Sequence, residues 1–209
     1  MTYTLAPVAT YPTQLRQAVE ALRYILVDKG HPPGQVLLGG DSAGGNLVGG
    51  VLSHLTHTHP DIDALRLDGA SLARAVMIAP WTMLQPDSSD RVVDSRGDLI
   101  TPVVGPLWGG GYIGSAPKDF YTDLSDAPAS WFAQFPVRRI LVCGGEREIL
   151  LPVIQDFVDK LRQGFPGELE FCIGKGEGHV APVYNRYIGD SRETQQGATA
   201  KRFIRGDKS

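Results

Sequence analysis

Gly40-Asp41-Ser42-Ala43-Gly44 joins a short apolar run, Val36-Leu37-Leu38, to a stretch of helical character over residues 43–57. This turn constrains the fold more than any other part of the chain. A short apolar strand that passes directly into a helix is the unit from which sheets alternating with helices are built. Glycines flanking Ser42 suit a tight strand-to-helix reversal, because side chains there would strike the adjoining strand and helix.

The rest of the chain repeats the alternation. Residues 13–29 carry apolar side chains at Leu15, Val19, Leu22, Ile25 and Leu26, a spacing that predicts an amphipathic helix. Pro12 suits its start and Gly30 its end. A turn over 32–34 leads to a strand over 35–39. Further strands are expected over 73–79, 139–143 and 168–173, and helices over 152–163 and 193–204. Residues 80–136 are rich in Pro, Gly, Asp and Trp. They read as a variable insert with one short helix near 103–113. Short continuous apolar strands alternating with helices imply an α/β class with a mostly parallel sheet covered on both faces. A length of 209 residues suits one domain, 1–209.

Twenty Lys and Arg against 23 Asp and Glu give a net charge of −3, with no basic stripe to attract nucleic acid. No apolar stretch reaches the ~18 residues of a transmembrane helix. The start of the chain does not resemble a signal peptide, so a cytoplasmic location is expected. Cys143 and Cys172 each lie in an apolar strand-like run and read as buried reduced thiols.

A serine at the apex of a strand–turn–helix is a nucleophile candidate, and a serine hydroxyl needs a base that is itself oriented by a carboxylate. Of the five histidines, His31 precedes Ser42, while His54, His57 and His59 fall on or just past the helix that the turn begins. His57 and His59 lack a supporting carboxylate cluster, so no metal site is expected. His179 ends the loop Gly174-Lys175-Gly176-Glu177-Gly178-His179 after the last strand, where a base is best placed. Glu146 and Glu148, in Gly144-Gly145-Glu146-Arg147-Glu148, follow the penultimate strand and compete for the acid position. Spacing alone does not choose between them.

Gly-Asp-Ser-Ala-Gly-Gly-Asn-Leu at positions 40–47 resembles the nucleophile elbow of the hormone-sensitive-lipase-like branch of α/β-hydrolases. Tyr3-Thr4-Leu5-Ala6-Pro7 with Tyr11-Pro12 resembles the segment that leads to it. Gly145-Glu146-Arg147-Glu148-Ile149-Leu150 resembles the branch's Gly-x-x-acid-x-Leu motif, which favours Glu148, and Gly178-His179 resembles its histidine loop. Pro152 stands where that motif usually has a further Asp.

The resemblance implies a carboxylesterase-like serine hydrolase of small-molecule esters. It would use Ser42, His179 and Glu148 with no cofactor, and the Ala43 N–H would face the oxyanion. Asp41, Trp81, Trp108 and Tyr112 are candidates for the substrate pocket. The branch's His-Gly-Gly-Gly motif is missing from this sequence; Trp108-Gly109-Gly110-Gly111-Tyr112 follows the serine and belongs to the insert. The expectation is therefore a partial α/β-hydrolase fold without its N-terminal strands. Its elbow strand would form an apolar sheet edge prone to self-association, and its activity would be weakened by loss of oxyanion donors. Two alternatives are a non-catalytic scaffold or binding protein and an acyltransferase using the same triad.

Overall fold

The computed structural model describes residues 1–84 and 98–206. Four parallel strands form one sheet in the order β1-β2-β3-β4, with β1 Leu37–Asp41, β2 Leu72–Ile78, β3 Val137–Gly145 and β4 Glu168–Gly174. The helices are α1 Thr13–Arg23, α2 Ala43–Thr56, α3 Val104–Ile113, α4 Leu151–Gly164, α5 Ala181–Tyr187 and α6 Gln195–Arg205. This is the expected parallel α/β architecture.

Period-two alternation of strand side chains divides the core between the two faces. Ala75 and Met77 of β2 and Ile140 and Val142 of β3 join the larger cluster, with Leu15 and Val19 of α1, Val48 and Leu52 of α2, and Phe157 and Leu161 of α4. Val76, Leu141 and Cys143 point the other way, onto Ala200 and Phe203 of α6. Helices therefore cover both faces.

Several boundaries differ from expectation. The first helix is α-helical only to Arg23; residues Tyr24–Asp28 form a wide turn in which the Lys29 N–H reaches back five residues to the Tyr24 carbonyl. None of those five side chains is buried, so no apolar stripe holds the tighter register. β1 begins two residues later than expected, because Pro33–Gln35 is taken up by a 3₁₀ turn. It extends through Gly39, Gly40 and Asp41, which pair with Val76, Met77 and Ile78. Helix α5 carried no clear periodic signal and was not expected. The described part of the region expected as a variable insert is woven into the core: Leu124, Ala127, Phe132 and Phe135 all belong to the larger cluster. Residues 85–97 of that region lie outside the described residues. No helix among the described residues is long and apolar enough to cross a membrane.

Candidate functional site

Ser42 stands between the end of β1 and the start of α2 with φ 50° and ψ −116°. Positive φ in a residue other than glycine is strained and persists only where surrounding contacts enforce it. Here they do. The Ser42 N–H donates to the Ile78 carbonyl at 2.9 Å, and the Ser42 carbonyl accepts from the Asn46 and Trp81 N–H groups at 3.0 and 3.1 Å.

The crowding around the turn corrects one sequence reading. A side chain on Gly40 would place Cβ 2.2 Å from the Gly44 carbonyl oxygen, as expected. Gly44 itself has nothing within 4 Å of such a Cβ. The second close approach falls at Gly45, whose Cβ would lie 2.8 Å from Pro80 Cβ.

His179 reaches the same point from the loop after β4. Its Nε2 lies 2.8 Å from Ser42 Oγ, and its Nδ1 lies 3.4 Å from Glu148 Oε1. Both His179 and Glu148 are buried. These contacts are consistent with the tautomer in which Nδ1–H donates to Glu148 and Nε2 accepts from the serine hydroxyl. The second carboxylate oxygen of Glu148 accepts the Gly145 N–H at 2.5 Å, which fixes the acid against the end of β3. Glu146 points elsewhere and accepts the Gly176 N–H at 2.7 Å. The structure thus brings Ser42, His179 and Glu148 together and leaves Glu146 outside.

Ser42 and Ala43 open onto a cavity of about 320 Å³. Trp81, Trp108 and Tyr112, all expected at the pocket, line it. Asp41 does not; it is exposed at the end of β1. Sequence reasoning missed other lining residues, including Tyr3, Leu5, Gln14, Asn46 and Leu84. Only the apolar ones among them carried any signal, and that signal reads equally well as core. Burial, reinforced by the Asp119 carboxylate, holds the Tyr112 phenol well above its usual range, so it stays neutral. A second cleft of about 260 Å³ lies beside β1, between α1 and α2, and shares Leu47 with the first.

Two side chains outside the expected set brace the site. Asn46 donates from Nδ2 to the Trp81 and Thr122 carbonyls at 2.7 and 2.6 Å. Asp98 accepts the His179 N–H on Oδ1 and the Ile149 N–H on Oδ2, each at 2.9 Å. His57 stacks on Trp131 with centroids 3.8 Å apart, and His59 Nδ1 accepts the Asp61 N–H, so both serve packing. Among the described residues no group of three or more His, Cys, Asp or Glu is placed to hold a metal ion.

An acetyl-hydrolase of Streptomyces hygroscopicus is 40% identical over 99 residues, which is 47% of this chain and 29% of that protein. A crystal structure of an esterase from the bacterial hormone-sensitive lipase family aligns with a TM-score of 0.75 at 23% identity, covering 98% of this chain and 64% of that one. A thermostable esterase from Pseudomonas putida aligns with a TM-score of 0.75 at 20% identity, covering 96% and 60%. At these identities the structural likeness speaks for the fold, and the chain spans less than two thirds of each of these relatives. The family model described as alpha/beta hydrolase fold matches residues 1–182, across the elbow, the Glu148 turn and the His179 loop, and the chain belongs to that family.

Proposed function

We propose that this chain hydrolyses carboxylic esters through an acyl-enzyme on Ser42. The observation that carries the reading is the 2.8 Å contact between Ser42 Oγ and His179 Nε2, made by a serine held at φ 50° over an apolar cavity. Ser42 Oγ attacks the acyl carbon while His179 Nε2 takes its proton. Buried Glu148 orients the imidazole and balances the charge it gains. His179 then protonates the departing alcohol, and a water molecule, activated by the same nitrogen, releases the acid. The Ala43 N–H is the first of α2 and has no partner within that helix, so it serves as an oxyanion donor in the field of the helix N-terminus.

A cavity of about 320 Å³ lies near the small end of ligand sites, which supports short acyl groups. The acetyl-hydrolase name of the Streptomyces relative points the same way. A fluorophosphonate probe should label the protein, and Ser42→Ala should abolish labelling. p-Nitrophenyl acetate should be cleaved faster than the decanoate. Equal labelling of wild type and Ser42→Ala would overturn the assignment. Transfer of the acyl group to added alcohols in place of water would replace hydrolysis with acyl transfer.

A further inference from the structure

We infer that Asp98 is a positioning residue that holds the acid and the base of this site in register; the inference rests on the reading of Ser42, His179 and Glu148 given above. Glu148 and His179 arrive on separate loops, after β3 and after β4. Their side chains meet at 3.4 Å, a long hydrogen bond that a small loop shift would break. The histidine loop is rich in glycine, and Gly176 and Val180 both sit at positive φ, 70° and 47°. The two loops are tied to each other by the Arg147 N–H on the Glu177 carbonyl at 2.9 Å and the Gly176 N–H on Glu146 at 2.7 Å, but neither bond involves Glu148 or His179.

Asp98 adds a tie at His179 itself, from a third segment. One carboxylate oxygen takes the N–H of His179 at 2.9 Å, and also that of Leu99 at 2.8 Å. The other oxygen takes the N–H of Ile149, the residue next to Glu148, at 2.9 Å. A single rigid, planar group therefore spans the backbones of both loops. Hydrogen bonds to a charged acceptor are about twice as strong as neutral ones. Only a carboxylate offers acceptors on both arms. The amide of asparagine would turn its NH₂ toward one backbone N–H and orphan that donor. Asp98 bonds to backbone N–H groups of the two loops and not to Ser42 Oγ or the imidazole, so it acts through the loops.

The test is the inactivation kinetics of a fluorophosphonate probe, with the bond-forming rate separated from initial binding. Asp98→Asn should slow the bond-forming rate by about 10- to 100-fold while binding changes by less than about threefold. Ile62→Val, a buried residue that follows the far end of α2 and does not line the Ser42 cavity, serves as the control for lost stability. Proton NMR adds a second readout: the His179 Nδ1–H signal should broaden in Asp98→Asn and stay sharp in the control.

Hydrogen exchange on the unaltered protein covers the case in which Asp98→Asn does not fold. The amides of Ile149 and His179 should both be protected, against rapid exchange at exposed Ser191. Free-loop exchange at Ile149 and His179 would overturn the inference. So would labelling of Asp98→Asn within about threefold of wild type while Ser42→Ala is silent, and that outcome leaves the esterase reading standing. Equal losses in Asp98→Asn and the control would also overturn it. Labelling of Ser42→Ala at the wild-type rate removes the site reading and this inference together.

Discussion

Replacing Asn46 by alanine removes two N–H donors that reach the Trp81 and Thr122 carbonyls at 2.7 and 2.6 Å. Asn46 is 3% exposed, so water does not replace the lost bonds freely. Each stranded buried acceptor costs about 1–3 kcal/mol. The low half of that range for both gives a loss of about 2–4 kcal/mol, a large part of a typical domain's 5–15 kcal/mol. With a urea slope of about 2–3 kcal/mol/M for a chain of this size, the unfolding midpoint should fall by roughly 1 M.

Asn46→Asp sharpens the test, because it keeps the shape and removes the donors. Its carboxylate would face two carbonyl oxygens, so at pH 8 this variant should be less stable than Asn46→Ala. The same repulsion raises the folded-state pKa of the new acid above about 3.9. The folded state then holds its proton more tightly than the unfolded state does. Stability is lost as pH rises through the folded pKa and is regained as pH falls. Urea titrations followed by tryptophan fluorescence should show the gap between the variants narrowing from about pH 8 to pH 5. An Asn46→Ala loss below about 0.5 kcal/mol, or an Asn46→Asp protein as stable as wild type at pH 8, would refute the reasoning.

The two acids should separate in their effect on labelling. Glu148→Gln should slow fluorophosphonate labelling by about 10²–10⁴, while Glu146→Gln, which still accepts the Gly176 N–H, should stay within about threefold. At the elbow, Gly45→Ala should cost about 1–3 kcal/mol through its clash with Pro80, and Gly44→Ala should be neutral or stabilising in thermal unfolding. Burial holds the His54 imidazole below its usual 6.5. Its contribution to stability is therefore lost as pH falls through that value, and His54→Gln should show a shallower decline in urea titrations between about pH 7.5 and 5.5. The Cys143 thiol and the Thr199 hydroxyl favour the thiolate at Cys172, whereas its own hydrogen bond to Cys172, then burial, push Cys143 up. Iodoacetamide should modify Cys172 first by peptide mass analysis, and the reverse order would contradict this.

Ser42, His179 and Glu148 were legible because each occupies a fixed place in a strand–turn–helix repeat, and chain order left one histidine to pair with the serine. Glu148 needed the resemblance to separate it from Glu146, since two acids a residue apart after one strand look alike until the turn is built. Asp98 and Asn46 were legible only as residue types. Their work is to accept from or donate to backbone groups of distant segments, and such bonds leave no periodic trace in the sequence. The shift of β1 has a similar origin. Gly40 and Asp41 look like turn residues alone, but the neighbouring strand β2 supplies partners, Met77 and Ile78, that keep them extended. Asp41 stays outside the cavity because it is the exposed last residue of β1, whereas the chain turns at Ser42, with φ 50°, toward α2.

Leu47 is a partition. One side of it lines the cavity that holds Ser42, and the other lines the cleft of about 260 Å³ beside β1. A side chain shared by the two linings is a point at which the chamber can be lengthened without rebuilding the serine turn. Trimming Leu47 to alanine would open the wall toward a ready-made apolar extension lined by Leu22, Val48 and Val51. The volume of about 320 Å³ that favours short acyl groups under the proposed function is thus held small at one point by a single leucine.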